Sequence, residues 1–166
     1  TAALHELGHG LGMIGSSQYN DGFGFIGFGG QPYIYDTFVE TGAGNSIESF
    51  VNGSVTLGDA LTGNSLYWNG PEGSAGVGGG MPRLYAPGTY QPASSYSHLN
   101  ESTYPFGSSN ALMTPIINSA ESNHNPGPAV LGMFEDMGWT TGECVISSVA
   151  YGMQSPCNPA TNMYSQ

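Results

Sequence analysis

The chain has 166 residues, and its 1 Lys+Arg against 12 Asp+Glu gives a formal net charge of −11, so duplex nucleic acid and anionic membrane surfaces would repel it. With 8% charged residues, 27 Gly and 11 Pro it reads as loop-rich, yet 39% hydrophobic residues suffice for a core. No apolar run approaches the ~18 residues of a membrane span, and residues 1–166 are expected to form one domain.

The first predicted element is a helix that carries His5-Glu6-Leu7-Gly8-His9. At about 100° per residue, histidines four apart lie ~40° from each other, so the helix aims two imidazoles at one point with Glu6 beside them. Leu4, Leu7 and Leu11 cluster on roughly the opposite side and are expected to anchor the helix. Two imidazoles make half of a zinc site. In a Zn2+ site with three protein ligands the fourth position holds water, whose pKa falls toward ~7, and Glu6 would take its proton as the water attacks a carbonyl. Gly12 follows, suited to end the helix with a positive φ.

On these residues the chain resembles the metzincin metallopeptidases, whose signature is His-Glu-x-x-His-x-x-Gly-x-x-His. Gly12 matches the signature glycine, but Gly15 stands where that family usually has its third histidine. A third ligand is therefore sought further along the chain.

Residues 13–97 read as an insertion of short elements in glycine-rich connections, with no repeat of fixed length. Asn20-Asp21-Gly22 is an acidic loop with two readings, a structural Ca2+ ligand or solvated surface charge. From Gly22 to Gly30 glycine alternates with aromatics, as in a flexible loop or in a strand whose apolar residues share one side for packing or substrate stacking. Tyr33 to Glu40 is an ordered strand or short helix, Val55 to Leu66 holds a strand and a helical turn around Asp59-Ala60-Leu61, and Gly70 to Gly80 reads as a mobile loop. Arg83, the sole basic side chain, is expected in a buried pair with a carboxylate, with a substrate-carboxylate role as the other reading.

Two further histidines exist, His98 and His124. His98 lies in Ser95-Tyr96-Ser97-His98-Leu99, and Ala111-Leu112-Met113-Thr114-Pro115 follows. The second segment looks like the metzincin Met-turn, which sets a methionine beneath the metal. The order of helix motif, long insertion, Ser-His and Leu-Met-x-Pro is similar to the leishmanolysin-like branch of that family. That resemblance implies His98 as third ligand and Met113 as the residue under the site, with residues 98–115 as the unit that carries both. Glu101 competes as a ligand, since a glutamate completes the site in another class of zinc peptidases. His124, among Asn, Gly and Pro, reads as part of an exposed turn. The tyrosine that often follows the family's methionine is absent here, and no oxyanion partner can be named.

Residues 128–138 form a predicted closing helix, with Pro128 suited to its first turn, Gly138 to its stop and Val130, Leu131, Phe134 and Met137 on one side. Cys144 and Cys157 read as a disulfide closing a short loop, with two buried thiols as the alternative. Asn52-Gly53-Ser54 and Asn100-Glu101-Ser102 fit the N-glycosylation pattern. The chain opens inside its metal-binding helix, so the sheet that precedes this helix in metzincins is expected to be missing, leaving a further chain or the protein's own N-terminal portion as a partner. The fold class implied is α+β, the loop-rich lower part of a metzincin-like zincin domain. The implied function is a secreted, extracellular zinc endopeptidase acting on a polypeptide substrate, with His5, His9 and His98 as ligands and Glu6 as general base. The alternative is an extracellular structural or adhesive subunit built on that scaffold.

Overall fold

Thr1 leads into the first helix, α1 (Ala2–Gly10), and its hydroxyl ties the helix start to a distant loop by donating to the Glu121 carbonyl and accepting from the Asn123 amide. The computed structural model describes residues 1–141, together with the backbone of Cys157–Asn158 and Met163–Tyr164. Helix α1 stops where the glycine was read to stop it. Gly12 takes φ +120, and the amides of Gly12 and Met13 return to the carbonyls of His9 and Gly8.

The leucine stripe of α1 does not face the core. Leu7 is 58% and Leu11 44% exposed, only Leu4 packs partly inward, and the buried positions of the helix are His5 and Gly8. Periodicity shows which side chains share a face and leaves open which face is covered. Here the inner face is narrow, because Gly8 lets the Met113 side chain approach the helix backbone.

Two short strands, β1 (Gln18–Asn20) and β2 (Phe23–Phe25), pair antiparallel with Asn20 opposite Phe23. The turn between them is Asp21-Gly22, both with positive φ, which is the two-residue hairpin connection that matches strand twist. The aromatic and glycine positions of β2 do lie on opposite sides, but it is the glycine side that packs. Gly24 is buried where a Cβ would fall 2.6 Å from the backbone of Leu57 and Gly58, while Phe23 and Phe25 point outward. The partner of that glycine is α2 (Val55–Thr62), capped by the Ser54 hydroxyl accepting from the Leu57 amide and anchored by Leu57 and Leu61.

The Tyr33 to Glu40 stretch supplies both of its candidate forms in succession, a 3-10 turn over Ile34–Phe38 and then β3 (Val39–Thr41). Strand β3 pairs antiparallel with β4 (Leu66–Trp68), placing Val39 opposite Trp68. Within the stretch Val55 to Leu66, the helix fills most of the length and the strand begins only at its end.

The stretch read as a mobile loop contains α3 (Pro71–Gly76), packed against α4 (Pro128–Asp136). The reason is backbone proximity. A Cβ at Gly132 would fall 2.7 Å from the Gly73 amide, and one at Gly76 would fall 2.5 Å from the Pro128 carbonyl carbon, so a glycine from the supposed loop and one from the closing helix act as contact points. Asp136 finishes this corner by accepting from Trp68 Nε1 at 2.7 Å and from the amides of Gly73 and Glu72, each at 2.9 Å. Further on, Trp139 Nε1 donates to the Leu11 carbonyl at 2.8 Å and joins the closing segment to the exit of α1.

The core runs from Met13 and Tyr35 through Trp68, Leu84, Tyr96 and Leu99 to Met113 and Met133, all at most 0% exposed. The result is a mixed domain of helices and small antiparallel strand pairs, the last being β5 (Cys157–Asn158) with β6 (Met163–Tyr164). Cys144 and the cysteine side-chain pairing expected with Cys157 lie outside the described residues. No helix among those described is long and apolar enough to cross a membrane.

Candidate metal centre

Helix α1 projects His5 and His9 from adjacent turns, and a segment 89 residues beyond His9 brings His98 to the same point. The three Nε2 atoms form a nearly equilateral triangle, 3.1 Å between His5 and His98, 3.2 Å between His9 and His5, and 3.2 Å between His9 and His98. Nitrogens ~2.05 Å from one tetrahedral zinc ion would stand about 3.3 Å apart, so the triangle has the size of a three-histidine face.

Each ring is oriented by a backbone carbonyl at its other nitrogen. His5 Nδ1 donates to Leu112 at 2.7 Å, His9 Nδ1 to Met13 at 2.7 Å and His98 Nδ1 to Ser94 at 2.8 Å. A proton held on Nδ1 leaves the Nε2 lone pair free, the form in which imidazole binds metal. Three lone pairs at this separation repel one another unless a cation lies between them. Burial, and next the neighbouring His9, push the pKa of His98 down to about 4, against the opposing effect of its bond to Ser94. His98 therefore stays neutral, and ready to ligate, well into acid. Among the described residues this is the one group of His, Cys, Asp or Glu arranged to hold a metal ion.

The segment around His98 is held like a strand. Its carbonyl accepts from the Tyr85 amide, the Leu99 amide donates to the Met113 carbonyl, and the Asn100 amide donates to the Arg83 carbonyl. Met113 closes a 3-10 turn, Ala111–Met113, whose Leu112 carbonyl orients His5 and whose thioether packs on Gly8 between the two histidines of the helix. The turn therefore touches His5 directly and is one residue from His98 through Leu99.

Glu6 is exposed on α1 at the edge of a cleft of about 410 Å3 that reaches the three histidines. Ile14, Ser17, Tyr90 and Ser97 form other parts of its wall. Tyr90 was missed by sequence reasoning. Its hydroxyl donates to the Ser17 carbonyl at 3.0 Å and its ring stacks on Tyr19 at 5.4 Å, neither of which leaves a local sequence signal.

The competing candidates fall elsewhere. Glu101 accepts from the Ile116 amide, and His124 is exposed as its turn-rich context suggests. Arg83 donates to the Asn64 carbonyl at 2.7 Å in place of the expected carboxylate. Asp21 occupies the hairpin turn between β1 and β2. Asn100 is buried and its side-chain oxygen accepts from Ser102 and Thr103, while Asn52 pairs both amide atoms with the Ile26 backbone, so each amide of the two glycosylation patterns is engaged.

No family model, curated protein or solved structure matches this chain. The reading of the site accordingly rests on its own residues.

Proposed function

We propose that the chain is the zinc-binding part of a secreted endopeptidase of leishmanolysin-like metzincin type, with His5, His9 and His98 as ligands and Glu6 as general base. The observation that supports this reading most is the triangle of Nε2 atoms with Glu6 on the same helix at the cleft. A zinc ion held there supplies Lewis acidity toward a peptide carbonyl and lowers the pKa of water. Glu6, next in sequence to His5 and open to the cleft, accepts a proton from the attacking water and returns it to the leaving nitrogen. The three carbonyls that hold the Nδ1 protons keep the rings in place throughout.

The exposed apolar side of α1 supports a partner. Ala3, Leu7, Gly10 and Leu11 line a shallow apolar depression that shares Glu6 with the metal cleft. A further chain, or upstream sequence of the same protein, covers this side and completes the substrate site.

Cleavage of a diverse peptide mixture, measured beside zinc content for the native protein and for Glu6→Ala, tests the function. The expected result is zinc in both and turnover lost in the variant by at least ~100-fold. Full turnover in Glu6→Ala removes the mechanism. Zinc in both with turnover in neither favours a metal-stapled structural subunit, since a structural site has no need of Glu6.

A further inference from the structure

Tyr96 takes φ +77, in the left-handed region that a bulky side chain occupies only where its surroundings impose it. The surroundings here are specific. Its amide donates to the Tyr85 carbonyl at 2.7 Å, its carbonyl accepts from the Tyr35 hydroxyl at 2.8 Å, and its fully buried ring fills the space beside Gly15 where a Cβ would have to be. One residue later the Ser97 hydroxyl accepts from the Gly15 amide at 3.0 Å, and the next residue is His98.

Tyr35 is itself fixed from the other side. The fully buried Asp36 carboxylate accepts from the Ser16 amide at 3.0 Å, from the Ser16 hydroxyl, and from the Tyr33 amide at 2.7 Å. Contacts therefore run in a closed ring from Gly15 and Ser16 through Asp36 and Tyr35 to Tyr96 and Ser97, and back to Gly15. One arc of this ring is the exit of the helix that carries His5 and His9. The opposite arc is the approach to His98. A left-handed residue reverses the local course of the chain, so the direction in which His98 leaves Ser97 depends on the conformation at Tyr96.

We propose that Tyr96 is the positioning residue of the third ligand, its left-handed backbone clamped by the Tyr35 hydroxyl and seated on Gly15 so that His98 meets His5 and His9. The inference rests on the reading of these histidines as a metal centre. It explains how a ligand far along the chain is registered to a helix without belonging to any helix or regular strand pair.

Co2+ titration of the chelator-treated protein, followed by the visible absorption of tetrahedral cobalt, tests it. Tyr35→Phe keeps the ring and removes the clamp, and is expected to weaken Co2+ binding about 10-fold or more and to alter the band shape. Tyr96→Gly and Tyr96→Ala lose the same ring, but glycine accepts the left-handed conformation at little cost, so the glycine variant is expected to bind Co2+ more tightly. Leu61→Ala, which removes core from α2, should lower the unfolding midpoint of the metal-free protein and leave Co2+ affinity unchanged. Native affinity and spectrum in Tyr35→Phe would overturn the proposal, and so would equal binding by the two Tyr96 variants. If the Tyr96 variants do not fold, Tyr35→Phe decides alone. A native protein that fails to bind Co2+ overturns the metal centre and this inference together, whereas native binding with unaffected variants overturns the inference only.

Discussion

Met113 occupies the space that a side chain on Gly8 would need, its Sδ 2.6 Å and its Cε 2.9 Å from where a Cβ would lie. In an exposed helix Gly8→Ala would gain about 0.5–1 kcal/mol from propensity alone. In this helix Met113, fully buried, has to shift first, and overpacking of this kind costs about 1–3 kcal/mol. The expected net result is destabilisation of Gly8→Ala in urea unfolding, with part of the loss recovered when Met113→Val is added. A more stable Gly8→Ala protein would show that the thioether is not confined between the two histidines.

The exposed leucines give a prediction opposite to the one the helical pattern suggests. In the 166-residue chain by itself Leu7 and Leu11 are exposed and stand outside the core cluster, so replacing both by Ser there should change the unfolding free energy by no more than about 0.5 kcal/mol per site. Were they the anchor of the helix, each truncation would cost on the order of 2–5 kcal/mol. Urea midpoints of the double variant decide between these outcomes, and they differ by enough to be read without ambiguity.

These two cases show where the sequence was informative and where it was not. Residues His5, Glu6 and His9 act through a local period, so their shared face follows from spacing alone. His98 and Met113 came from the order of two short motifs, and the structure brings both to the helix. The covered side of α1, by contrast, depends on a residue more than a hundred positions away. The same limit applies to α3. Gly73 and Gly76 have the composition of a linker, and only the approach of Trp68 and Met133 to the first and of Pro128 to the second distinguishes a packed helix pair from a loop. Tyr96 leaves no trace in composition at all, because its conformation is imposed by Tyr35, Gly15 and Tyr85.

The close approach of α3 and α4 is itself testable. At Gly132 the added Cβ of an alanine would meet the backbone of Glu72 and Gly73, which cannot rotate away as a side chain can. Gly132→Ala should therefore destabilise by on the order of 2 kcal/mol or more despite the better helix propensity of alanine. Thermal unfolding read by circular dichroism would show this as a lowered midpoint. An unchanged or raised midpoint would return residues 70–80 to the loop reading.

Ligand identity is separable by substitution at two sites close in sequence. His98→Ala removes one corner of the triangle and should lower zinc affinity sharply, while Glu101→Ala, whose carboxylate accepts from the Ile116 amide, should leave it unchanged. Competition with a chromophoric chelator measures both. The reverse order would make Glu101 the third ligand.

Acid should destabilise the metal-free protein through His98 in a defined window. An unfolded histidine takes up its proton near pH 6.5, whereas burial and the neighbouring His9 hold folded His98 neutral down to about 4. Between those values the unfolded chain binds more protons than the folded one, so stability falls as pH drops from about 6.5 to 4 and this contribution stays constant below. The full loss from this group is on the order of 3 kcal/mol. Unfolding free energies of the chelator-treated protein across pH 7 to 4 should therefore slope more steeply for the native chain than for His98→Asn, which cannot titrate there. Equal slopes would mean that His98 is reached by solvent and protonates as it does in the unfolded chain. Zinc should leave the native chain sloping at least as steeply, because an imidazole nitrogen held by metal has no lone pair left for the proton while the unfolded chain still takes protons up.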